Sequence, residues 1–188
     1  MVLKQKATGK KSPYLIITPR LLLREFVSSD ALSFYKLNKD KAVMRYTGDK
    51  PFKSVEESKK FILNYDAYVK TGMGRWTVIL ASEKSIIGWC GLKEHPEGFI
   101  DLGYRFHKKY WNKGYASEAA QACLDYGFQE LSLSEIIGRT AIENKASIKV
   151  LEKIGMTFWK KEPCEGIANS VIYRIKNDYD RPLKISRS

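Results

Sequence analysis

IDLGYRFHKKYWNKGYASE, residues 100 to 118, changes its hydrophobic period in mid-course. Ile100, Leu102, Tyr104 and Phe106 alternate with Asp101, Gly103 and Arg105, which predicts a strand with one apolar and one polar side. A basic aromatic turn follows. From Ala116 the apolar residues recur at helical spacing through Ala119, Ala120, Cys123, Leu124, Phe128 and Leu131, so a helix is expected up to Leu131. The join is Lys113-Gly114-Tyr115-Ala116. A glycine just ahead of a helix start lets the backbone approach a ligand closely, and the unpaired N–H groups of the first turn attract anions. This join is a candidate phosphate site; as an alternative, Gly114 only relaxes a strand-to-helix turn. Neither G-x-x-x-x-G-K-[ST] nor a G-x-G-x-x-G after a strand occurs in the chain, so the common ATP and NAD loops are excluded.

Working outward, Trp76, Val78 and Leu80 alternate up to a turn near Ser82-Glu83-Lys84, and a second strand runs from Ile86 to about Lys93. With the strand at 100–106 these predict an antiparallel meander carrying the candidate phosphate turn. Earlier, Tyr14 to Phe26 is broken by Pro19, which suits a strand pair or a bent edge strand. Ser28-Ser29-Asp30 offers N-caps for a helix to Lys39 with Leu32, Tyr35 and Phe34 inward. Ser54-x-x-Glu57 has the form of a capping box opening a long helix to Gly72, with Phe61, Ile62, Tyr65, Tyr68 and Val69 as its stripe. After the 116–131 helix come a strand at 136–141, a short helix at 146–153 and strands at 156–161 and 171–175. Residues 1–13 read as a flexible basic tail with four lysines and no acid, 14–180 as a single domain, and 181–188 as a polar tail.

The 188 residues are long enough to bury a core, and 44% hydrophobic and 12% aromatic content argues against disorder. No apolar run approaches the length of roughly 20 residues needed to cross a bilayer, and nothing near Met1 has the form of a signal peptide, so a cytoplasmic protein is expected. The three cysteines, Cys90, Cys123 and Cys164, have no metal-like spacing, and His95 and His107 have no ligand-spaced companions. No metal is expected. The formal net charge of +12, from 33 Lys and Arg against 21 Asp and Glu, suits an anionic cofactor, nucleic acid or an acidic surface, and also a merely solubilising one.

GYRFHKKYWNKGYASEAA (103–120) resembles the corresponding segment of the GNAT superfamily of acyl-CoA-dependent N-acetyltransferases, and within it the RimJ/RimL-type branch. Glu143-Asn144-Lys145-Ala146-Ser147 through Leu151-Glu152-Lys153-Ile154-Gly155-Met156 is similar to that branch's EN-x-x-S-x-x-x-LEK-x-GF motif, and Thr18-Pro19-Arg20-Leu21-Leu22-Leu23-Arg24 to its opening strand. The resemblance implies an α+β GNAT fold. Its mixed, mostly antiparallel sheet has about seven strands and about four flanking helices. That sheet splits in a V after a bulge in the strand 102–107. It implies acetyl-CoA as cosubstrate. Phe106 and His107 would offer backbone groups to the pantetheine arm. Asn112, Lys113, Gly114, Tyr115 and Ala116 would hold the diphosphate, with Ser117 adding a hydroxyl. Asn144 and Ser147 would meet the pantetheine and thioester end, and Lys149 the adenosine phosphate. Asp101 stands at the position of a family carboxylate and would act as base through water, with Ser147 assisting the leaving thiolate; as an alternative, Asp101 is only an exposed strand acid pairing with a nearby Lys. The tyrosine acid of many family members is replaced here by Leu151.

The reaction implied is direct attack of a neutral amine on the thioester in a ternary complex. Branch relatives acetylate N-terminal amines of ribosomal proteins, and cousins modify polyamines, amino-acid-like compounds or aminoglycosides. The basic composition favours an acceptor near RNA, and with it ribosome association, over a cationic small molecule. A small amine is the second choice, and a basic RNA-binding module without catalysis is a reading of another class. The chain is expected as monomer or homodimer, away from membranes.

Overall fold

A computed structural model describes residues 12–164 and 166–177. Its centre is one eight-stranded sheet in the order β1-β2-β3-β4-β5-β6-β8-β7. The strands are β1 (Ile16–Ile17), β2 (Leu21–Arg24), β3 (Arg75–Leu80), β4 (Ser85–Glu94), β5 (Ile100–Phe106), β6 (Glu135–Ala141), β7 (Thr157–Lys161) and β8 (Ser170–Lys176). All neighbours pair antiparallel except β5 and β6, which run parallel. The helices are α1 (Ala31–Lys39), α2 (Lys41–Met44), α3 (Val55–Leu63), α4 (Ala67–Thr71), α5 (Tyr115–Gln129) and α6 (Lys145–Lys153). Most of the tail at 1–13, the end of the expected domain and the tail at 181–188 lie outside the described residues. Among the described residues no helix is long and apolar enough to cross a membrane.

The α5 helix packs on the sheet through small residues, as its sequence stripe requires: Ala119, Ala120 and Cys123 are fully buried beside Leu92, Leu102 and Ile136. Cys90 comes up from the sheet to meet Cys123, their Sγ atoms 3.5 Å apart, so both thiols serve as core atoms. A second apolar cluster of Ala31, Phe34 and Ile62 joins α1 and α3 to Phe26 and Trp89.

Four local expectations need correction. The helix opened by Ser54 stops at Leu63 and restarts at Ala67. Val69 is 91% exposed, because α4 is too short to bury a second stripe. The cap is a shifted box: Ser54 Oγ accepts from the Glu57 N–H at 3.2 Å, while Glu57 reaches back to the N–H of Lys53, not of Ser54. In α1 the buried residues are Ala31, Phe34, Leu37 and Asn38, and Leu32 points outward. Nor does β5 carry a bulge: its pairing with β4 is unbroken from Glu94↔Ile100 to Gly88↔Phe106. The irregularity lies on the other edge of β4, against Val78/Ile79, and the sheet opens instead where β5 and β6 part.

Candidate functional site

β5 and β6 pair at Asp101↔Ile137, and no other partner pair joins them among the described residues. Each strand then runs into a helix, β5 into α5 and β6 into α6, so two helix N-termini stand at the carboxyl ends of diverging parallel strands. That arrangement places ligands in the crevice between the strands. The register shows which backbone groups face it. His107 N–H donates to the Ile87 carbonyl at 3.0 Å, so Gly88 and Phe106 form a non-hydrogen-bonded pair. The amides and carbonyls of Tyr104 and Phe106 therefore point away from β4, toward the opening. One is already engaged: the Trp111 indole N–H donates to the Phe106 carbonyl at 2.8 Å.

At the α5 end, Lys108–Tyr110 form a short 3-10 turn, Asn112 takes φ 59° and Gly114, the residue that caps α5, takes φ 79°. Two left-handed residues in three turn the chain sharply enough to begin the helix. The first intrahelical bond from this cap is Glu118 N–H to the Gly114 carbonyl at 3.0 Å, so the amides of Tyr115, Ala116 and Ser117 precede any helical acceptor. The turn from Trp111 to Gly114 is exposed. A clamp holds it from the β1–β2 turn. Glu118 accepts from Thr18 Oγ1 at 2.6 Å, from Arg20 N–H at 3.0 Å and from Arg20 Nε at 2.6 Å. Arg20 Nη1 donates to the Lys113 carbonyl at 3.0 Å, and its guanidinium lies 4.6 Å over the Tyr115 ring. Thr18, Arg20 and Glu118 were not among the sequence candidates. The distance of about a hundred residues between the partners hides the clamp from any local pattern.

At the α6 end, the Asn144 side chain accepts from Ser147 N–H at 3.2 Å, the ordinary duty of an N-cap. Tyr104 crosses to it from β5: its hydroxyl donates to the Ser147 carbonyl at 3.0 Å and lies 2.8 Å from Ser147 Oγ. Burial raises the Tyr104 pKa above the usual phenol range despite the bond from Ser147. The structure thus brings Asn144 and Ser147 together with Tyr104, a residue missed by sequence. Lys149 is exposed on α6. His107 is drawn the other way, its Nε2 3.0 Å from Ser33 Oγ, and burial followed by the charge of Lys109 lowers its pKa.

On the opposite face of β5, Asp101 lies in a cluster of basic groups. Arg75 Nη2 is 2.5 Å from its Oδ2, His95 Nε2 is 3.6 Å from the same oxygen, and Arg139 Nε is 3.8 Å from Oδ1. Arg75 reaches it by lying across Gly103; a Cβ there would come within 2.6 Å of the guanidinium carbon. Burial pushes the Asp101 pKa up, but the charge of Arg75, the nearness of His95, the hydrogen bond from Arg75 and the charge of Arg139 outweigh it, leaving the carboxyl at about 2. The Arg75 and Arg105 guanidiniums also lie 5.5 and 5.2 Å over the Trp89 ring. Beside this cluster is a cavity of about 290 Å³ lined by His95, Phe99, Ile137, Arg139 and Trp159, among others.

The family described as "Acetyltransferase (GNAT) domain" matches residues 20–157 of the chain. The uncharacterized N-acetyltransferase YnaD of Bacillus subtilis is 40% identical over 150 residues, covering 78% of this chain and 86% of that protein. Among solved structures, a GNAT-family acetyltransferase from Bacillus anthracis superposes with a TM-score of 0.70 at 35% identity, covering 84% of this chain and 95% of that one. Two more distant structures share the fold. A spermidine N-acetyltransferase from Vibrio cholerae, in complex with CoA and spermine, has a TM-score of 0.71 at 21% identity over 85% of this chain and 97% of that one. A ribosomal-protein-S5-alanine acetyltransferase from Vibrio fischeri has a TM-score of 0.69 at 22% identity over 88% and 98%.

Proposed function

Because the chain belongs to the GNAT acetyltransferase family, its reaction is transfer of an acetyl group from acetyl-CoA to an amine, and we propose that this amine is the N-terminus of a protein or peptide, as in the RimJ/RimL-type branch. The observation that carries the coenzyme part of this reading is the opening between β5 and β6 with a helix N-terminus on each side, and the acceptor part rests on the basic groups around Asp101. The amides from Asn112 to Ser117 take the diphosphate, where helix dipole and unpaired N–H groups favour negative charge. Lys149 meets the adenosine phosphate. The pantetheine arm runs along the Tyr104–Phe106 backbone, toward Asn144 and Ser147; the backbone groups expected from His107 are already engaged, its N–H donating to Ile87 and its carbonyl accepting from Tyr110.

The amine nitrogen attacks the thioester carbonyl; a C–N bond forms, the C–S bond breaks, and the amine proton leaves toward Asp101 through water. With its pKa at about 2, Asp101 is ionised throughout the working range but is a weak base, so it draws the proton outward and does not keep it. Ser147, beside the Tyr104 hydroxyl, donates a hydrogen bond to the departing thiolate, which takes up a proton from solvent in balance with the one the amine releases. The two remote fold neighbours act on different amines by their names, so the fold itself does not select the acceptor. The charge does bear on it: Arg75, His95 and Arg139 surround the one carboxylate of the cluster, an environment unfavourable to a polycation. The basic composition also suits association with ribosomes.

Acetyl-CoA turnover across a panel of peptides, polyamines and aminoglycosides tests the acceptor: peptides are expected to react fastest, and faster turnover of spermidine would move the assignment to a small amine. In thermal-shift measurements CoA should stabilise the protein and an oligonucleotide should not; the reverse would support an RNA-binding module.

A further inference from the structure

The cavity beside Asp101 belongs to the acceptor side of the opening, by register. Asp101 and Ile137 are partners where β5 and β6 part, and Ile137 and the next residue on that face of β6, Arg139, both line the cavity. His95 and Arg139, in its wall, lie 3.6 and 3.8 Å from the Asp101 carboxylate, beyond the direct contact with Arg75. An amine placed at the junction for attack therefore has this space next to it.

The walls are those of an apolar side-chain pocket. Phe99 and Trp159 meet edge to face, their centroids 6.3 Å apart at 71°, and Ile137 and Ile172 close the sheet side. The charged groups of the lining are Glu97, Glu162 and Arg139, with His95 beside them; Lys160, 4.5 Å over the Trp159 ring, pairs with Glu162, and Arg174 lies 4.9 Å over the same ring. At about 290 Å³ the space sits at the lower end of small-ligand pockets, roughly 300–1,000 Å³. That is room for one large side chain. A first residue as small as alanine would leave it unfilled, forfeiting apolar burial worth roughly 25 cal/mol per Å².

We infer that this cavity receives the side chain attached to the reacting amine, and that it selects acceptors whose first residue is aromatic or large and aliphatic. The inference rests on the transferase reading and adds a specificity to it.

The test is steady-state turnover of acetyl-CoA with peptides that differ only in residue 1, being Phe, Leu, Ala, Ser or Lys, together with phenethylamine against ethylamine. The expected result is a kcat/KM at least tenfold higher for Phe and Leu than for Ala, and the same order between the two amines. Replacing Trp159 or Phe99 by Ala should bring the Phe-to-Ala ratio close to one, in protein that CoA still stabilises against heat. Equal rates for all first residues, preference for Ala, Ser or Lys, or an unchanged ratio in both variants would overturn the pocket assignment while leaving the transferase reading intact. Failure of CoA to stabilise the wild-type protein would overturn both.

Discussion

Two residues carry most of the physical tension in the site. Asp101 is buried yet ionised, and its stabilising effect has a definite pH window. Its carboxyl lies at about 2 in the folded protein against 3.8 for an unperturbed group, so the stabilisation is fully present above about pH 4 and is lost as pH falls toward 2. The depression corresponds to roughly 2 kcal/mol. In chemical denaturation the wild type should lose about that much between those limits, and Asp101→Asn should lack this loss. The same variant should lower kcat by about 100-fold or more with little change in CoA affinity, if Asp101 draws off the proton. Gly114 is the other. Its φ of 79° is left-handed, so Gly114→Val adds strain of roughly 1–2 kcal/mol. Its Cβ would also come within 3.4 Å of Arg20 Nη2, in the turn assigned to the diphosphate. Calorimetric titration with CoA should show binding at least tenfold weaker; unchanged affinity would remove the diphosphate from this turn.

The elements were legible in the sequence wherever one face is buried and one is not. The strand at 100–106, α5, β6 and α6 were all foreseen to within a residue or two, because each lies against the core and carries an unbroken period. The stretch 54–72 reads as one helix because Phe61, Tyr65 and Tyr68 keep helical spacing across Asn64–Asp66, where α3 ends and α4 has yet to begin. Aromatic packing from Phe52 through Phe61 and Tyr65 to Tyr68 spans that break and mimics a single stripe. Asn144, Ser147 and the Gly114 turn were visible as motifs, whereas the Arg20–Glu118 clamp, Tyr104 and the basic groups around Asp101 depend on contacts between distant segments. Asn144 gives the element-scale test. As the N-cap of α6 its removal in Asn144→Ala should cost about 1 kcal/mol of stability, while Asn144→Asp, which keeps the acceptor oxygen, should restore it. Thermal unfolding of the two variants separates capping from any part in catalysis, which only turnover rates report.

Over the whole molecule the excess of twelve positive charges sets how the protein meets polyanions. If it works near ribosomes, cosedimentation with them should weaken steeply between about 50 and 200 mM salt, as release of bound counterions requires. Acetylation of a short free peptide should change little over that range. On the proposed reading the charge would govern encounter, and the pocket beside Asp101 choice. Neither could be read from the other: composition reports an average over the surface, while the cavity depends on how β6, β7 and β8 are stacked.

The single rung joining β5 to β6 makes the sheet a book of two leaves, β1–β5 and β6–β8–β7, bound along a very short spine. A coenzyme arm that hydrogen-bonds along the inner margin of one leaf would serve as the missing thread. Without it, amide protons of Tyr104 and Phe106 should exchange with deuterated solvent far sooner than their neighbours facing β4, and saturating CoA should slow them selectively. Supply of the acyl carrier would then govern how firmly the enzyme is bound shut, as well as how fast it works.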